Sequence, residues 1–445
     1  MKQRLPAILV FLYLLSCIVL GGSAQNPWPN LLLQLSGIAA IAWAALVVRR
    51  STNFALYALI LGALTVVLLQ LVPLPAGLWT QLPGRQAIEE GLSALGHAPR
   101  WFSVSEMPSQ SVLTLFAAIP ATAAFVMVER LAISRRYVAA SIVGGMIAAI
   151  FVGAVQVAGG PNSGAYFYEI HSFGAIGFFA NSNHMGTLLL VGIPMAAALT
   201  ASVKSTQGVP PIASYGMGVT VLLVVFIGIV LNGSRAAIGL SLPVLIASAA
   251  LFPAAVRWRG FAGILSATAL CIGLAAIFAI PMRSNDVSLS QGTPTNRQVI
   301  WEKAVEATAD NFPTGTGLGT FDHVYNKYED SADVTTSYVN HAHNDYLEIT
   351  LELGAFGIAL IALFMCWWAI AAWRIWNSHD GTAVGRAATI ATAAILAHSV
   401  VDFPLRTAAI SAIFGACVAL MASDRGHAAD AASEKSKRVR HLILG

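Results

Sequence analysis

Charged residues are scarce in this sequence. Only 10% of its 445 residues are Asp, Glu, Lys or Arg, and 57% are hydrophobic, whereas a soluble domain carries roughly a quarter charged residues. This composition excludes an ordinary soluble domain, so most of the chain must lie in lipid. The formal net charge of +4 reflects membrane orientation and does not indicate binding to nucleic acid.

Cysteine is also rare, and no internal repeat of fixed period is visible. All the cysteines lie in apolar stretches, where a thiol behaves as a small hydrophobic group, so they indicate neither disulfides nor a metal site. The missing repeat disfavours transporters built from inverted repeats. The cysteines are Cys17, Cys271, Cys366 and Cys417.

Long apolar runs are abundant. About 20 apolar residues cross a bilayer core, and these runs predict an all-α polytopic membrane protein of about twelve transmembrane helices in a single membrane domain, residues 1–445. The first run also fits a cleaved signal peptide, but a retained helix is preferred because more spans follow. The predicted spans are residues 5–24, 31–48, 54–72, 111–128, 138–158, 184–203, 215–231, 236–256, 261–281, 346–373, 386–403 and 407–423.

Lysine and arginine predict the orientation. With both chain ends in the cytoplasm, most basic residues fall in cytoplasmic segments, where positive charge tends to remain. This orientation leaves two outer loops: residues 73–110, with Trp79 and Trp101 at headgroup depth, and residues 282–345, a large helical loop between helices 9 and 10. The basic tail, residues 424–445, is predicted to lie in the cytoplasm near anionic lipid headgroups.

The large outer loop ends in the densest cluster of polar side chains in the sequence. Residues 340–348 read Asn-His-Ala-His-Asn-Asp-Tyr-Leu-Glu, so His341 and His343 precede the tenth span. Two histidines two positions apart allow a metal site if further ligands, such as His323 or His398, complete it. The preferred interpretation is acid–base chemistry by an imidazole near neutral pH, without a metal.

Polar residues at the spans form a second set of candidates, because they are costly in lipid and usually mark function or pairing. Arg235 follows Asn232-Gly-Ser at the start of the eighth span and has no acidic neighbour in sequence, so an anionic ligand is an attractive partner. Asp402 and Arg406 could instead simply neutralise each other as an ion pair, in which case neither has a functional role. The possible supporting residues are Asn181, Asn183, His341, Asn344, Asp345, His398, Asp402 and Arg406.

Two further motifs lie in the large outer loop. Apolar residues at helical spacing predict a helix with Thr295 as its N-cap and Arg297 in its first turn. Its simplest position is along the membrane interface, where Arg297 can face a ligand. The segment Pro313-Thr-Gly-Thr-Gly-Leu-Gly-Thr-Phe321 is similar to a phosphate loop, but a dinucleotide site requires a preceding strand, and a helix precedes this one. A tight turn is therefore predicted.

Taken together, these blocks resemble the O-antigen ligase and polymerase superfamily of bacterial surface-polysaccharide enzymes. The resemblance covers roughly residues 170–410 and rests on the order of Ser-Arg at a span start, a long outer loop, and His-Asn at its end. The blocks are Gly177-Phe-Phe-Ala-Asn-Ser-Asn-His184, Asn232-Gly-Ser-Arg-Ala-Ala237, Arg297 with Trp301, the glycine-rich segment, and His343-Asn-Asp-Tyr-Leu-Glu348 followed by Leu353-Gly-Ala-Phe-Gly357.

The resemblance implies a metal-independent, cofactor-free, inverting membrane glycosyltransferase of the bacterial inner membrane with its active site facing the periplasm. The implied donor is an undecaprenyl-diphosphate-linked glycan, and the acceptor is lipid A core for a ligase or another glycan for a polymerase. By motif, Arg235 and Arg297 would bind the diphosphate and His343 would act on the acceptor hydroxyl, whereas His341 has no motif role. A polytopic transporter and a metal-dependent membrane hydrolase are the alternatives from other classes.

Overall fold

The fold is mostly helical over the residues that the structure, a computed structural model, describes. These are residues 4–24, 26–46, 53–97, 100–131, 133–168, 174–203, 211–252, 297–330, 339–378 and 381–423, with a few isolated positions between 263 and 270. Nearly all of the predicted ninth span, the start of the large outer loop with Thr295, and the predicted tail at 424–445 lie outside the described residues.

The described elements follow one another as helices with one small sheet. Strands β1 (Pro73–Pro75) and β2 (Trp101–Ser103) pair antiparallel, with Leu74 opposite Phe102, and a 3-10 turn spans Pro404–Arg406. The helices are α1 Arg4–Leu20, α2 Pro27–Leu46, α3 Phe54–Leu71, α4 Ala76–Trp79, α5 Gln86–Ala94, α6 Pro108–Ala117, α7 Ile119–Arg130, α8 Arg135–Gly159, α9 Ser182–Val203, α10 Pro211–Asn232, α11 Arg235–Ala249, α12 Arg297–Asn311, α13 Phe321–Tyr325, α14 Asp345–Asn377, α15 Ala383–His398 and α16 Ala408–Ser423.

Several of these helices have the length and apolarity of membrane spans. Within the described residues, six segments qualify: α2, α3, α6 together with α7, α8, α9 and α14. Shorter apolar helices occur in α1, α10, α11, α15 and α16. This architecture agrees with the predicted polytopic helical membrane protein, and the number of about twelve spans stays a prediction.

Two predicted spans differ in extent from the observed helices. The span predicted at 111–128 is two helices, α6 and α7, which meet at Ala118. Pro120 follows the break, and proline belongs in the first turn of a new helix because it has no N–H to donate. The span predicted at 386–403 ends at His398, where the Ser399 carbonyl accepts the Asp345 N–H at 3.0 Å. Asp402 therefore lies in a turn and not in a helix.

Helix α9 is the centre of the bundle and packs against α8, α10, α11 and α15. Small residues permit this packing, since a Cβ on Gly186 would lie 2.7 Å from that of Ala237 on α11. The close approach brings the first turn of α9, with Asn183, beside Ser234 at the start of α11. Two of the polar blocks that carry the resemblance thus meet at one end of the bundle.

The glycine-rich segment is a tight turn that supports a kink in α14. Gly354 has φ of 59° inside α14, a conformation that glycine adopts without a steric penalty. The kink exposes backbone carbonyls, and Thr316 N–H donates to Leu351 at 3.1 Å while Gly317 N–H donates to Glu352 at 2.9 Å. The predicted turn is confirmed, and its amides are committed to this helix.

The first loop is fixed to the glycine-rich segment by a buried arginine. The Arg85 side chain has no exposed surface and lies 2.8 Å from Glu106. It also donates to Asn311 at 3.1 Å and to the Gly315 carbonyl at 3.3 Å. Since an unpaired buried charge is strongly unfavourable, these contacts hold the first loop, α12 and the turn together.

Trp79 packs inside the first loop and is not a surface side chain. Trp79 is only 3% exposed because its ring packs against Phe102 with a centroid distance of 5.1 Å and its N–H donates to the Ser103 carbonyl. The hairpin of β1 and β2 therefore provides its partner, whereas Trp101 is 65% exposed.

Candidate functional site

Asp402 is the centre of the candidate site. It lies in the turn after α15 and is fully buried. Its Oδ1 accepts the Phe403 N–H at 2.9 Å and lies 3.3 Å from His343 Nδ1. Its Oδ2 lies 3.5 Å from Arg297 Nη2 and accepts a hydrogen bond from Asn183 Nδ2. One carboxylate thus joins four separate parts of the chain, which we call the Asp402 centre.

The neighbours of Asp402 keep it ionised. Burial alone would raise the pKa of Asp402, but the hydrogen bond to His343 and the charge of Arg297 hold it well below its usual range. An ionised carboxylate behind an imidazole orients the ring and stabilises the imidazolium that forms when the ring accepts a proton.

His343 is presented to the site by an unusual backbone. Its φ of 50° lies in the left-handed region, which costs a non-glycine residue roughly 1–3 kcal/mol. The side chain is 25% exposed and its Nδ1 faces Asp402, which leaves Nε2 as the nitrogen that can meet a ligand. This geometry suits the predicted role of a general base.

Arg297 reaches Asp402 from the first turn of α12. Its Nη1 donates to the Val401 carbonyl at 2.6 Å, and its side chain is 33% exposed. Helix α12 is fixed beside the histidines because Trp301 Nε1 donates to the Ala342 carbonyl at 2.8 Å. The structure therefore brings Arg297 and His343 to the same carboxylate, that of Asp402.

Arg235 is connected to the site by hydrogen bonds of the residue that precedes it. It is the exposed first residue of α11. The preceding Ser234 caps the helix by accepting the Ala237 N–H, and its hydroxyl donates to Asn183 Oδ1 at 2.6 Å. Asn183 in turn contacts Asp402, so a chain of two hydrogen bonds connects the start of α11 to the Asp402 centre.

A second buried cluster forms around Arg406. Its Nη2 lies 2.9 Å from Glu352 Oε2 and 3.4 Å from Glu348 Oε1, and its Nε lies 3.8 Å from Asp345 Oδ1. Burial alone would lower the pKa of Arg406, but these carboxylates raise it above its usual value. The predicted alternative of a pair between Arg406 and Asp402 is wrong, because each has other partners.

His341 belongs to this second cluster. Its Nδ1 lies 2.8 Å from Glu348 Oε1, and the other oxygen of Glu348 accepts the Ala342 N–H at 2.9 Å. We call Arg406, Asp345, Glu348, Glu352 and His341 the Arg406 cluster. The two histidines of the motif thus contact different carboxylates.

The ring of Phe403 lies between the two groups. Its centroid is 4.1 Å from that of His341, 4.9 Å from that of His343 and 4.9 Å from that of His184. His184 is buried, with Nε2 3.9 Å from Asp402 Oδ1. The aromatic ring therefore separates the imidazoles while keeping them on one small surface.

The remaining predicted residues form hydrogen bonds at helix starts or between helices. Asn344 caps α14 by accepting the N–H groups of Tyr346 and Leu347, and Asn181 Oδ1 accepts the Asn183 N–H at the start of α9. His398 is fully buried, with Nδ1 2.9 Å from Thr187 Oγ1. Among the described residues no group of three or more His, Cys, Asp and Glu side chains is arranged to hold a metal ion.

Sequence reasoning missed Glu352 and Phe403, left His184 without a role, and considered Glu348 only as a possible metal ligand. Asp345, Glu348 and Glu352 follow one another at spacings of three and four, which places all three on one face of a helix. That periodicity in an otherwise apolar span was a readable signal for a buried acidic face. Phe403 had no such signal, because its role depends on residues distant in sequence.

The fold and the site define a polytopic helical membrane protein with a buried carboxylate, imidazole and guanidinium site beside one end of its bundle. Residues 220–362 match the family model described as O-antigen ligase, which confirms the predicted resemblance to the O-antigen ligase superfamily. The matched region includes Arg235, Arg297 and His343, whereas Asp402 and Arg406 lie beyond it. No curated protein matches the chain.

Proposed function

We propose that the protein is a membrane glycosyltransferase of the O-antigen ligase type. It transfers a glycan from undecaprenyl diphosphate to an acceptor hydroxyl at the periplasmic face of the bacterial inner membrane. The observation that carries this proposal is the contact between His343 and Asp402 beside Arg297, because it combines a base with a binding group for phosphate.

The transfer begins with the acceptor hydroxyl. Its oxygen attacks the anomeric carbon of the donor glycan while the hydroxyl proton passes to Nε2 of His343. The bond between the anomeric carbon and the diphosphate oxygen breaks, and its electron pair stays on undecaprenyl diphosphate. Attack opposite the leaving group inverts the anomeric centre. Asp402 stabilises the imidazolium that results.

The leaving diphosphate needs positive charge in place of a metal ion. Arginine binds phosphate oxygens through a planar fork of donors, and Arg297 is one-third exposed while Arg235 is exposed at the start of α11. Both lie in segments that hydrogen bonds connect to Asp402. Full transfer in excess chelator supports metal independence, and rescue of a chelated protein by a divalent metal contradicts it.

The acceptor distinguishes a ligase from a polymerase. Both activities use the same His343, Arg235 and Arg297, and we favour the ligase with lipid A core as acceptor. Purified protein in nanodiscs is incubated with the lipid-linked repeat unit alone and together with lipopolysaccharide core. Products that appear only with the core support a ligase, whereas chain growth without it identifies a polymerase. Flux of a substrate across proteoliposomes without any transfer would favour a transporter.

The orientation has its own test. Ser93→Cys in the first loop and Asp330→Cys in the large loop, both exposed positions, should react with an impermeant thiol reagent from the periplasmic side. Asn377→Cys at the end of α14 should react only after permeabilisation. Labelling of the last position alone would place the histidines in the cytoplasm and contradict the proposed function.

A further inference from the structure

We propose that Asn183 is a positioning residue that fixes the direction of the Asp402 carboxylate while the donor diphosphate binds Arg297. This inference rests on the proposed function and deepens it, because it names the group that keeps the base oriented during transfer. Asn183 accepts no proton and does not touch the reacting atoms. It acts on His343 through Asp402.

The hydrogen bonds of the Asn183 side chain run in one direction. An ionised carboxylate can only accept hydrogen bonds, so the NH2 group of Asn183 must face Oδ2 of Asp402. The amide oxygen then faces Ser234, whose hydroxyl donates to it at 2.6 Å. The same hydroxyl oxygen accepts the Ala237 N–H at 3.2 Å. An amide turned the other way would lose its bond to Asp402, so the contacts select a single orientation.

The backbone of Asn183 is held as firmly as its side chain. Its N–H donates to a hydrogen bond with Asn181 Oδ1 at 2.8 Å, and its carbonyl accepts the Thr187 hydroxyl at 3.0 Å. These contacts lie at the start of α9, the helix at the centre of the bundle. The amide therefore belongs to the rigid bundle, and the turn that carries Asp402 is placed against it.

The second donor to Oδ2 is less suited to hold the carboxylate. Among the described residues this donor is Arg297, with Nη2 at 3.5 Å. Its side chain is one-third exposed and begins α12 in the large loop. In the proposed reaction the guanidinium binds diphosphate oxygens, which compete with Asp402 for the same N–H groups. Asn183 is then the donor that stays on Oδ2.

Two contacts are needed to define the plane of the carboxylate. The Phe403 N–H donates to Oδ1 at 2.9 Å, but a single contact leaves the group able to turn about it. Asn183 supplies the second contact, at Oδ2. Oδ1 then stays directed at Nδ1 of His343. Since a base works only when its orienting group holds it in the reactive geometry, loss of Asn183 should misdirect His343.

The test is a double-mutant cycle between Asn183 and Asp402 in the full chain in nanodiscs. Asn183→Leu is neutral and similar in size, and it removes both hydrogen bonds of the amide. Ser234→Ala removes the bond to Ser234 and leaves the bond to Asp402. Asn377→Leu, at an exposed position at the end of α14, is the matched control. Binding of undecaprenyl diphosphate counts the folded protein in each sample, and turnover of a radiolabelled donor glycan is expressed per binding site.

Asn183→Leu should lower turnover at saturating donor by about 10²-fold, because the base is misplaced. Its affinity for undecaprenyl diphosphate should stay within about threefold of wild type, because both arginines remain. Ser234→Ala should lower turnover less, and Asn377→Leu should behave as wild type. In the Asp402→Asn background, Asn183→Leu should cause little further loss, because a positioning residue acts only through the group that it positions.

Wild-type turnover in Asn183→Leu overturns the inference. A full additional loss of turnover in the Asp402→Asn background also overturns it, because damage that is merely structural adds to that of Asp402→Asn. In both cases wild-type protein still transfers glycan, and the proposed function stands. If Asn183→Leu does not fold, Asn183→Ala removes the same two bonds and is judged by the same outcomes. Wild-type protein that binds undecaprenyl diphosphate without transferring glycan refutes the proposed function and this inference together.

Discussion

Replacing Asp402 with Asn removes one charge from the candidate site and leaves its shape nearly unchanged. The two oxygens of Asp402 face two sets of donors: Phe403 N–H and His343 on one side, Asn183 and Arg297 on the other. An asparagine has a single acceptor oxygen. In either orientation of the amide, its NH2 group faces one of the two sets of donors, and that set is left without an acceptor.

The size of the effect follows from these contacts. An unsatisfied buried donor costs roughly 1–3 kcal/mol, and the attraction to Arg297 is lost as well, so unfolding should become easier by about 2–4 kcal/mol. Transfer should fall by about 10²–10⁴-fold, because the imidazole of His343 loses both its orientation and the stabilisation of its charged form.

The assay is glycan transfer by purified protein in nanodiscs, with thermal unfolding measured on the same samples. Asp330→Asn is the matched control, since its exposed carboxylate pairs with Lys303 at the surface and surface pairs contribute about 0–1 kcal/mol. Activity of Asp402→Asn within about threefold of wild type would refute the role of Asp402 in orienting the base.

Three further predictions concern the same site. His343→Gln should lower transfer by about 10²–10⁴-fold with donor binding intact, and His341→Gln should lower transfer less; greater damage from His341→Gln would reverse the assignment of the base. Arg297→Lys and Arg235→Lys keep the positive charge but lose the planar fork of guanidinium donors, so transfer should fall strongly while the melting temperature stays unchanged. Near-normal turnover of the double variant would show that both arginines are structural. Because the pKa of Asp402 is held well below its usual range, its contribution to stability is fully present above the unfolded value of about 3.9 and is lost only as the pH falls through the folded value. Asp402→Asn should therefore lower stability equally at pH 5 and pH 8, and a loss that vanishes at pH 5 would contradict this ionisation.

Much of the fold could be predicted because lipid imposes simple rules. Apolar runs predicted α8, α9 and α14 within a few residues, since a helix must satisfy its backbone internally to lie in a membrane. The turn at 313–321 could be predicted from its glycines. The end of α15 could not, because apolar residues continue to Val401 and the helix stops at a contact between Ser399 and Asp345.

The site was predictable in its parts but not in its pairings. His343, Arg297 and Asp402 were all candidates, because polar residues beside apolar spans are costly and therefore informative. Their pairings join residues 59 positions apart for His343 with Asp402 and 105 positions apart for Arg297 with Asp402. The short separation of Asp402 and Arg406 was misleading. Burial of Arg406 among three carboxylates is a tertiary effect that no local pattern contains.

The dispersal of the Asp402 centre along the chain has a consequence for biosynthesis. A nascent chain inserts its segments from the N-terminus, so Asn183 and Arg297 reach the bilayer long before Asp402 leaves the ribosome. Until the turn before α16 is in place, His343 has no carboxylate behind it and Arg297 has no anchor at Val401. We therefore expect a partly synthesised chain to lack the proposed transfer activity until the turn before α16 is in place.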